Sequence, residues 1–348
     1  MENNLFVYTK KDTKLAFERF HICTWEFKND TSMIEIGGEI INDNLDKDKV
    51  ISLSIHIPWI DGTKHRIIDL YDKLKETENS RFIFNDSVIG NSYFDDGQKK
   101  KGVVHNFVGR KPLCVMPMKS EINNDTKTIS IEINLEALKN PEKMTKNNVY
   151  FRFLIECDVM CLSTRKSGIN HSSIIYDFKI NEERNLPIDN TIDLQKFKLC
   201  AIKACFFFNI IPNSFNLNFF DNTSLKNIRT LEYDSFSKYI GDGRVKKDEL
   251  VVVFHKKSQN IESGKSSYSF FSIYSKERIG AAQFALAIFA NLLIGILLFL
   301  ANYKDLKQYS YYSSDFWTNL SWEVYFSAVI GISIIIYFIW PKLRRIKG

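Results

Sequence analysis

The sequence predicts a mainly β fold: a sandwich-like cytosolic domain over 1–182, a smaller α+β lobe over 190–270, and a C-terminal two-helix transmembrane hairpin. Three observations carry this expectation. The N-terminal half is a succession of short segments that alternate apolar and polar residues, as Ile129, Ile131, Ile133 and Leu135 do against Thr128, Ser130, Glu132 and Asn134. That is the period of a half-buried strand. The charged, proline-bearing stretch Asn181–Asn190 reads as a boundary. Finally, Ile279–Tyr303 and Val324–Pro341 are runs of 25 and 18 residues without a charge, against the ~20 apolar residues with which a helix crosses a bilayer.

In chain order, strands are expected at Leu5–Thr9, Ala16–Phe27, Met33–Asn42, Val50–Trp59, Arg81–Asn85, Val103–Val108, Lys127–Leu135, Asn148–Met160 and Ser173–Ile180, with a short helix near Ile68–Glu78. Several short strands without a sustained helical pattern between them point to a sandwich or open barrel rather than a parallel α/β sheet. Beyond the boundary, Leu194–Pro212 reads as helical in its first half, and strands follow around FNLNFF and ELVVVFHKK. The polar piece NIESGKSSYSFFSIYSKER connects this lobe to the first apolar run, 279–303. A loop over 304–323 leads to the second run, 324–341.

Lys276 and Arg278 precede the first run, and Lys342, Arg344, Arg345 and Lys347 follow the second. The loop holds only Lys304 and Lys307, against Asp305, Asp315 and Glu323. The positive-inside rule puts both flanks in the cytoplasm and the loop outside. Trp322, Tyr325, Tyr337 and Trp340 bracket the second run as an interfacial belt. The N-terminal stretch has no apolar h-region, so no signal peptide is expected. The expected location is the inner, cytoplasmic membrane, with the N-terminal domain and the C-terminus cytosolic. Six cysteines, Cys23, Cys114, Cys157, Cys161, Cys200 and Cys205, form no C-x-x-C pair and are expected to be reduced and packed. Half of the net charge of +6 lies after Arg278, where six basic residues meet three acidic ones. A soluble part that near to neutral is no bulk electrostatic binder of nucleic acid.

No enzyme signature is present, and no catalytic residue, cofactor or metal is expected. Ser263-Gly264-Lys265-Ser266 resembles the tail of a P-loop, but the required upstream glycine is Gln259. The six histidines are scattered without metal-ligand spacing. Two polar loops are candidate sites for an anionic ligand. One joins Lys99, Lys100 and Lys101 to Arg110 and Lys111, with His105 between them. If Val103–Val108 is a strand, its two basic ends stand about 20 Å apart, a span suited to several phosphates. The other holds Arg165, Lys166 and His171 among hydroxyls and a glycine turn, groups that donate to phosphate oxygens. Within the apolar runs, Gln283, Ala287, Asn291 and Gly295 recur at spacings of four, and Ser327 and Gly331 make a small-x-x-x-small pair. These are a candidate pore face or helix interface.

A cytosolic sensor fused to a few apolar helices resembles the membrane effectors of bacterial antiphage defence. In architecture and length it is similar to the channel effector of the Hailong system. The resemblance implies control by a nucleotide or short single-stranded oligonucleotide made by a partner enzyme; it carries no residue roles. The expected function is therefore a ligand-gated, homo-oligomeric membrane effector, an ion channel built from C-terminal hairpins. The rival expectation is a membrane-tethered binding or scaffold protein without a pore.

Overall fold

A computed structural model describes residues 3–27, 31–41, 50–94, 99–136, 147–168, 171–186, 192–193, 195–221, 223–247, 249–259, 266–277, 281–303 and 322–343. The chain divides into two units, 1–164 with 174–274 and 165–173 with 275–348.

Two mixed sheets make the β part. The nine-stranded sheet runs β17 (Asn216–Phe220), β20 (Tyr268–Glu277), β13 (His171–Ile180), β1 (Asn3–Lys10), β4 (Val50–His56), β10 (Thr128–Asn134), β9 (Lys119–Asn123). In it β12 (Thr164–Ser167) pairs with β13, and β14 (Phe197–Leu199) with β1. The eleven-stranded sheet runs β18 (Leu225–Thr230), β19 (Leu250–Ser258), β16 (Ala204–Pro212), β2 (Ala16–Glu26), β3 (Thr31–Ile40), β11 (Asn148–Asp158), β8 (Leu113–Val115), β7 (Val103–Phe107), β6 (Val88–Tyr93). Here β15 (Ala201–Ile202) pairs with β2, and β5 (Ile67–Asp69) with β11. Most neighbours are antiparallel, but β1 pairs with β13, β2 with β15 and β16, and β11 with β8 in parallel.

One core fills the space between the sheets. Ile129, Ile131 and Ile133 of β10, with Ile51, Leu53 and Ile55 of β4, meet Ile34 and Ile36 of β3 and Phe151 and Phe153 of β11. The intervening Ser130, Glu132 and Asn134 are exposed, so the period-two pattern has the cause expected of it. The central strands β1 and β2 are instead buried along most of their length. A second apolar cluster lies on the other face of the eleven-stranded sheet. It is covered by α1 (Tyr71–Leu74), α2 (Thr77–Phe84) and α4 (Tyr233–Ile240) through Tyr71, Leu74, Phe84, Phe236 and Tyr239. The short α3 (Val159–Leu162) follows β11.

Three local expectations are corrected. Arg81–Asn85 is the end of helix α2, closed by Asn85 in the left-handed region at φ 50°; so short an apolar run has no period of its own. Thr77–Phe84 is held there by Asn79, whose amide donates to the Lys73 carbonyl at 2.9 Å. The first half of Leu194–Pro212 is strand rather than helix, because β14 and β15 pair with β1 and β2, and ladder partners override local propensity. The segment read as a connector contains β20, whose Tyr268, Phe270 and Tyr274 enter the core. The strands of 190–270 take places in the same two sheets as those of 1–182.

The transmembrane hairpin is also corrected. Among the described residues, no helix is long and apolar enough to cross a membrane. The two apolar runs do fold as helices, α5 (Ala281–Tyr303) and α6 (Trp322–Leu343). Of the expected loop over 304–323, residues 304–321 lie outside the described residues, and Trp322 and Glu323 open α6. The expectations of a membrane protein and an ion channel, which rested on this hairpin, lose their support.

Two stability predictions follow from the β part. Gly38 of β3 has no room for a side chain, because a Cβ would run into the Phe17 ring and stand 3.0 Å from that of Phe151. Gly38→Val should lower the unfolding free energy by about 1–3 kcal/mol, read from the denaturant midpoint. Asp69 accepts backbone N–H groups from Tyr71 and Met118 at 3.0 and 3.1 Å, yet burial pushes its carboxyl from 3.8 up to about 6. Because the folded value lies above the unfolded one, protonated Asp69 favours the fold. This contribution is complete below about pH 4 and is lost as pH rises through about 6. Between these limits the native chain should lose on the order of 2–3 kcal/mol relative to Asp69→Asn, measured by urea unfolding across the range.

Candidate functional site

The face of the eleven-stranded sheet turned away from the main core carries the most concentrated polar chemistry in the β part. Strand alternation selects its residues: Arg19, His21, Cys23 and Trp25 from β2, Glu35, Gly37 and Glu39 from β3, and Tyr150 and Arg152 from β11. From β16 come Phe206, Phe208 and Ile210, and from β19 Val252, Phe254 and Lys256. The registers pair His21 with Gly37, Phe208 with Phe254, and Phe206 with Lys256.

Half of this face is sealed by the helices. Under them the Glu35 carboxylate accepts three charged or polar donors: Trp25 Nε1 at 2.6 Å, Arg152 Nε at 2.6 Å and Tyr239 Oη of α4 at 2.8 Å. Arg152 also donates to the Tyr150 hydroxyl at 3.3 Å, and that hydroxyl bonds His21 Nδ1 at 3.0 Å. Gly37 makes room for the last contact, since a Cβ there would stand 2.7 Å from Tyr150 Oη. Burial pushes the Tyr239 hydroxyl well above its usual range, keeping it a donor. Beside this group, Glu39 accepts from Arg110 at 2.7 Å and Asn148 at 2.9 Å, with Arg19 at 3.7 Å.

The other half is open. Phe206, Phe208 and Phe254 are half-buried and stand as a column. Phe208 and Phe254 have centroids 4.6 Å apart with planes 5° from parallel, and Phe254 and Phe206 are 5.9 Å apart at 9°. Above Phe206 lie the Arg19 guanidinium at 5.9 Å and the Lys256 ammonium at 5.4 Å, with the His21 ring edge-on at 5.0 Å. His21 is held well below its ordinary pKa, first by burial and then by the positive fields of Arg152, Arg19 and Arg110. The spot is therefore electropositive while the imidazole itself stays neutral at neutral pH. Chemically, the arrangement offers cations and ring faces. Among the described residues, no group of three or more His, Cys, Asp or Glu side chains is placed to hold a metal.

The residues selected from sequence are spread elsewhere. His105 is fully buried and bonded to Ser80 Oγ, the Leu74 carbonyl and Asn91 Oδ1 at 3.0, 2.9 and 2.7 Å; it ties β7 to the helices. Arg110 faces Glu39 and lies over the Phe84 and Phe107 rings at 5.1 and 5.3 Å. Lys100 is ion-paired with Asp72, Lys99 and Lys101 have partners of their own, and Lys111 is exposed. Arg165, Lys166 and His171 belong to the second unit, at a tight turn closed by Gly168 N–H to the His171 carbonyl at 2.8 Å. On the helices, Gln283 and Ala287 line a groove of ≈ 390 Å³ with Phe326 and Ser333. Asn291 and Gly295 face outward, while Ser327 is buried and donates to the Glu323 carbonyl at 2.8 Å. Gly331 has open space where a Cβ would be. The open half of the sheet face was not singled out from sequence. Its signal was there: in FERFH, CFFFN and VFHKK, rings and cations recur two residues apart.

Truncating Glu35 would leave the Arg152 guanidinium buried without its counter-charge, and Glu35→Ala should cost about 3–5 kcal/mol in chemical denaturation. Tyr239→Phe, which removes one neutral donor, should cost only about 1–2 kcal/mol. No protein-family model matches this chain, and no curated protein resembles it in sequence.

Proposed function

We propose that the chain is a non-enzymatic, ligand-controlled effector of the antiphage-defence type. The β-sandwich recognises a nucleotide or oligonucleotide signal, and the C-terminal helices carry the output by assembling with further copies of the chain. The observation that carries this reading is the surface of the second unit. Phe284, Phe289, Leu292, Ile296 and Phe299 on α5, and Phe326, Val329 and Ile332 on α6, are each 55–69% exposed. An apolar surface of this density marks an interaction site, because single chains seldom leave more than a few hundred Å² of contiguous apolar area open. These eight exposed aromatic and aliphatic side chains of the helix pair approach the roughly 800 Å² per partner of a standard interface. Gly295 and Gly331 support the same reading. Nothing stands within 4 Å of a Cβ at either position, so they leave outward notches in which another helix can come close.

A ligand controls such an effector only if it binds one assembly state more tightly than another. Sedimentation velocity on the full chain in aqueous buffer should show a discrete oligomer. Ile296→Glu should weaken the self-association on the order of tenfold or more, about 1.4 kcal/mol. A monomer across the accessible concentration range would remove assembly from the proposal.

A further inference from the structure

The geometry points to the open half of the outer sheet face as a site for a phosphorylated nucleobase ligand, its base stacked on the Phe206–Phe254–Phe208 column and its phosphate held by Arg19 and Lys256. This inference rests on the reading above, that the sandwich recognises a nucleotide-type signal, and names the place where it does so.

Three features of the patch fit that chemistry. The first is the column itself. Three parallel rings on a sheet face are a ready platform, since every base has a π-face and stacks on an aromatic side chain irrespective of sequence. Two long side chains, Arg19 and Lys256, lie over the Phe206 ring, beside the His21 imidazole. The second is charge. Arg19, Arg110, Arg152 and Lys256 converge on a region whose buried carboxylates are Glu35 and Glu39. Glu35 is committed to Arg152, and Glu39 to Arg110 at 2.7 Å, leaving Arg19 with a longer 3.7 Å contact and a side chain 38% exposed. For Lys256, the ring of Phe206 is the partner found among the described residues. The third is the edge. Asn227 of β18 stands across from Phe254 and is exposed, within the same face and able to offer an amide to the rim of a base.

The energetics favour an exchange. A cation over an exposed ring is worth about two- to fivefold in an equilibrium constant. A base on an aromatic ring is worth about five- to 150-fold, and a charge-assisted bond to phosphate is stronger than the ring contact it replaces. Arg19 and Lys256 therefore swing from the Phe206 face to the phosphate, and the base takes their place.

The test is fluorescence anisotropy on the full chain with a fluorescein-labelled, single-stranded dT8, competed by unlabelled dT8, by thymidine monophosphate and by inorganic pyrophosphate. Lys256→Gln should weaken binding of dT8 and flatten its salt dependence by about one phosphate contact. Phe206→Leu should weaken it about tenfold or more while keeping the strand packed, and Phe206→Trp should retain it. Lys119→Gln, on the other sheet, serves as the control. Competition by thymidine monophosphate at equal concentration would identify a mononucleotide site, and competition by dT8 alone an oligonucleotide site; both support the assignment. Binding by the native chain that none of the Phe206 and Lys256 variants alters would overturn this site and leave the ligand class standing. Competition by pyrophosphate with no effect of Phe206→Leu would reduce it to a plain anion site and overturn the stacking. Failure of the native chain to bind any of the probes would overturn both the site and the nucleotide signal on which it rests.

Discussion

A single buried carboxylate organises the outer face of the larger sheet. Glu35 receives Trp25 from β2, Arg152 from β11 and Tyr239 from α4, so three elements distant in sequence are fixed by two oxygens. Taking such a charge out of water costs several kcal/mol, and its stabilising value depends on good geometry and full satisfaction of its lone pairs. Both conditions are met here. A slip of β3 by one residue would turn Glu35 into the apolar core and Ile34 outward, so the carboxylate also fixes the register of the central ladders.

The same logic recurs inside the sandwich. Asn209, fully buried, accepts from Thr24 Oγ1 at 2.8 Å and donates to Tyr274 Oη at 2.8 Å and Ser272 Oγ at 3.1 Å. Glu26 accepts from Tyr176 at 2.7 Å. A polar layer of this kind joins β2, β16, β13 and β20 across an otherwise Ile- and Phe-rich core. Each member has a partner, which is what separates a specifying network from a costly defect. The helix-covered half of the outer face is therefore rigidly held, and it borders an open half whose rings and cations have flexible, replaceable contacts.

How much of this was legible in the sequence depends on whether the cause was local. The alternation in β10 and the long apolar run of β11 announced strands, because each side of those residues meets either core or water. The strand character of 197–212 was hidden, because it comes from pairing with β1 and β2, and nothing in LQKFKLCAIKACFFF names a partner. Asn85 in the left-handed region shows why RFIF was misread: the helix that contains it is fixed by Ser80 and Asn79 bonding back to the preceding turn. Basic loops were the visible candidates for an anion site, yet Arg110 and His105 turned out to be committed to internal partners. The Phe206–Lys256 patch stayed unseen because it is assembled from three strands that are neighbours only in space.

The parallel pairing of β2 with β16 has a consequence in time. Phe20 of β2 lies opposite Cys205 and Trp25 opposite Ile210, so nearly two hundred residues separate the partners. At about 5–20 residues per second of synthesis, β2 waits roughly 10–40 s before its neighbour leaves the ribosome. During that interval β2, with β1 waiting likewise for β13, presents an unpaired, largely apolar edge of the kind that templates aggregation. A nascent chain of this protein is thus most vulnerable midway through its synthesis, and the cell must shield it then rather than at the start or the end.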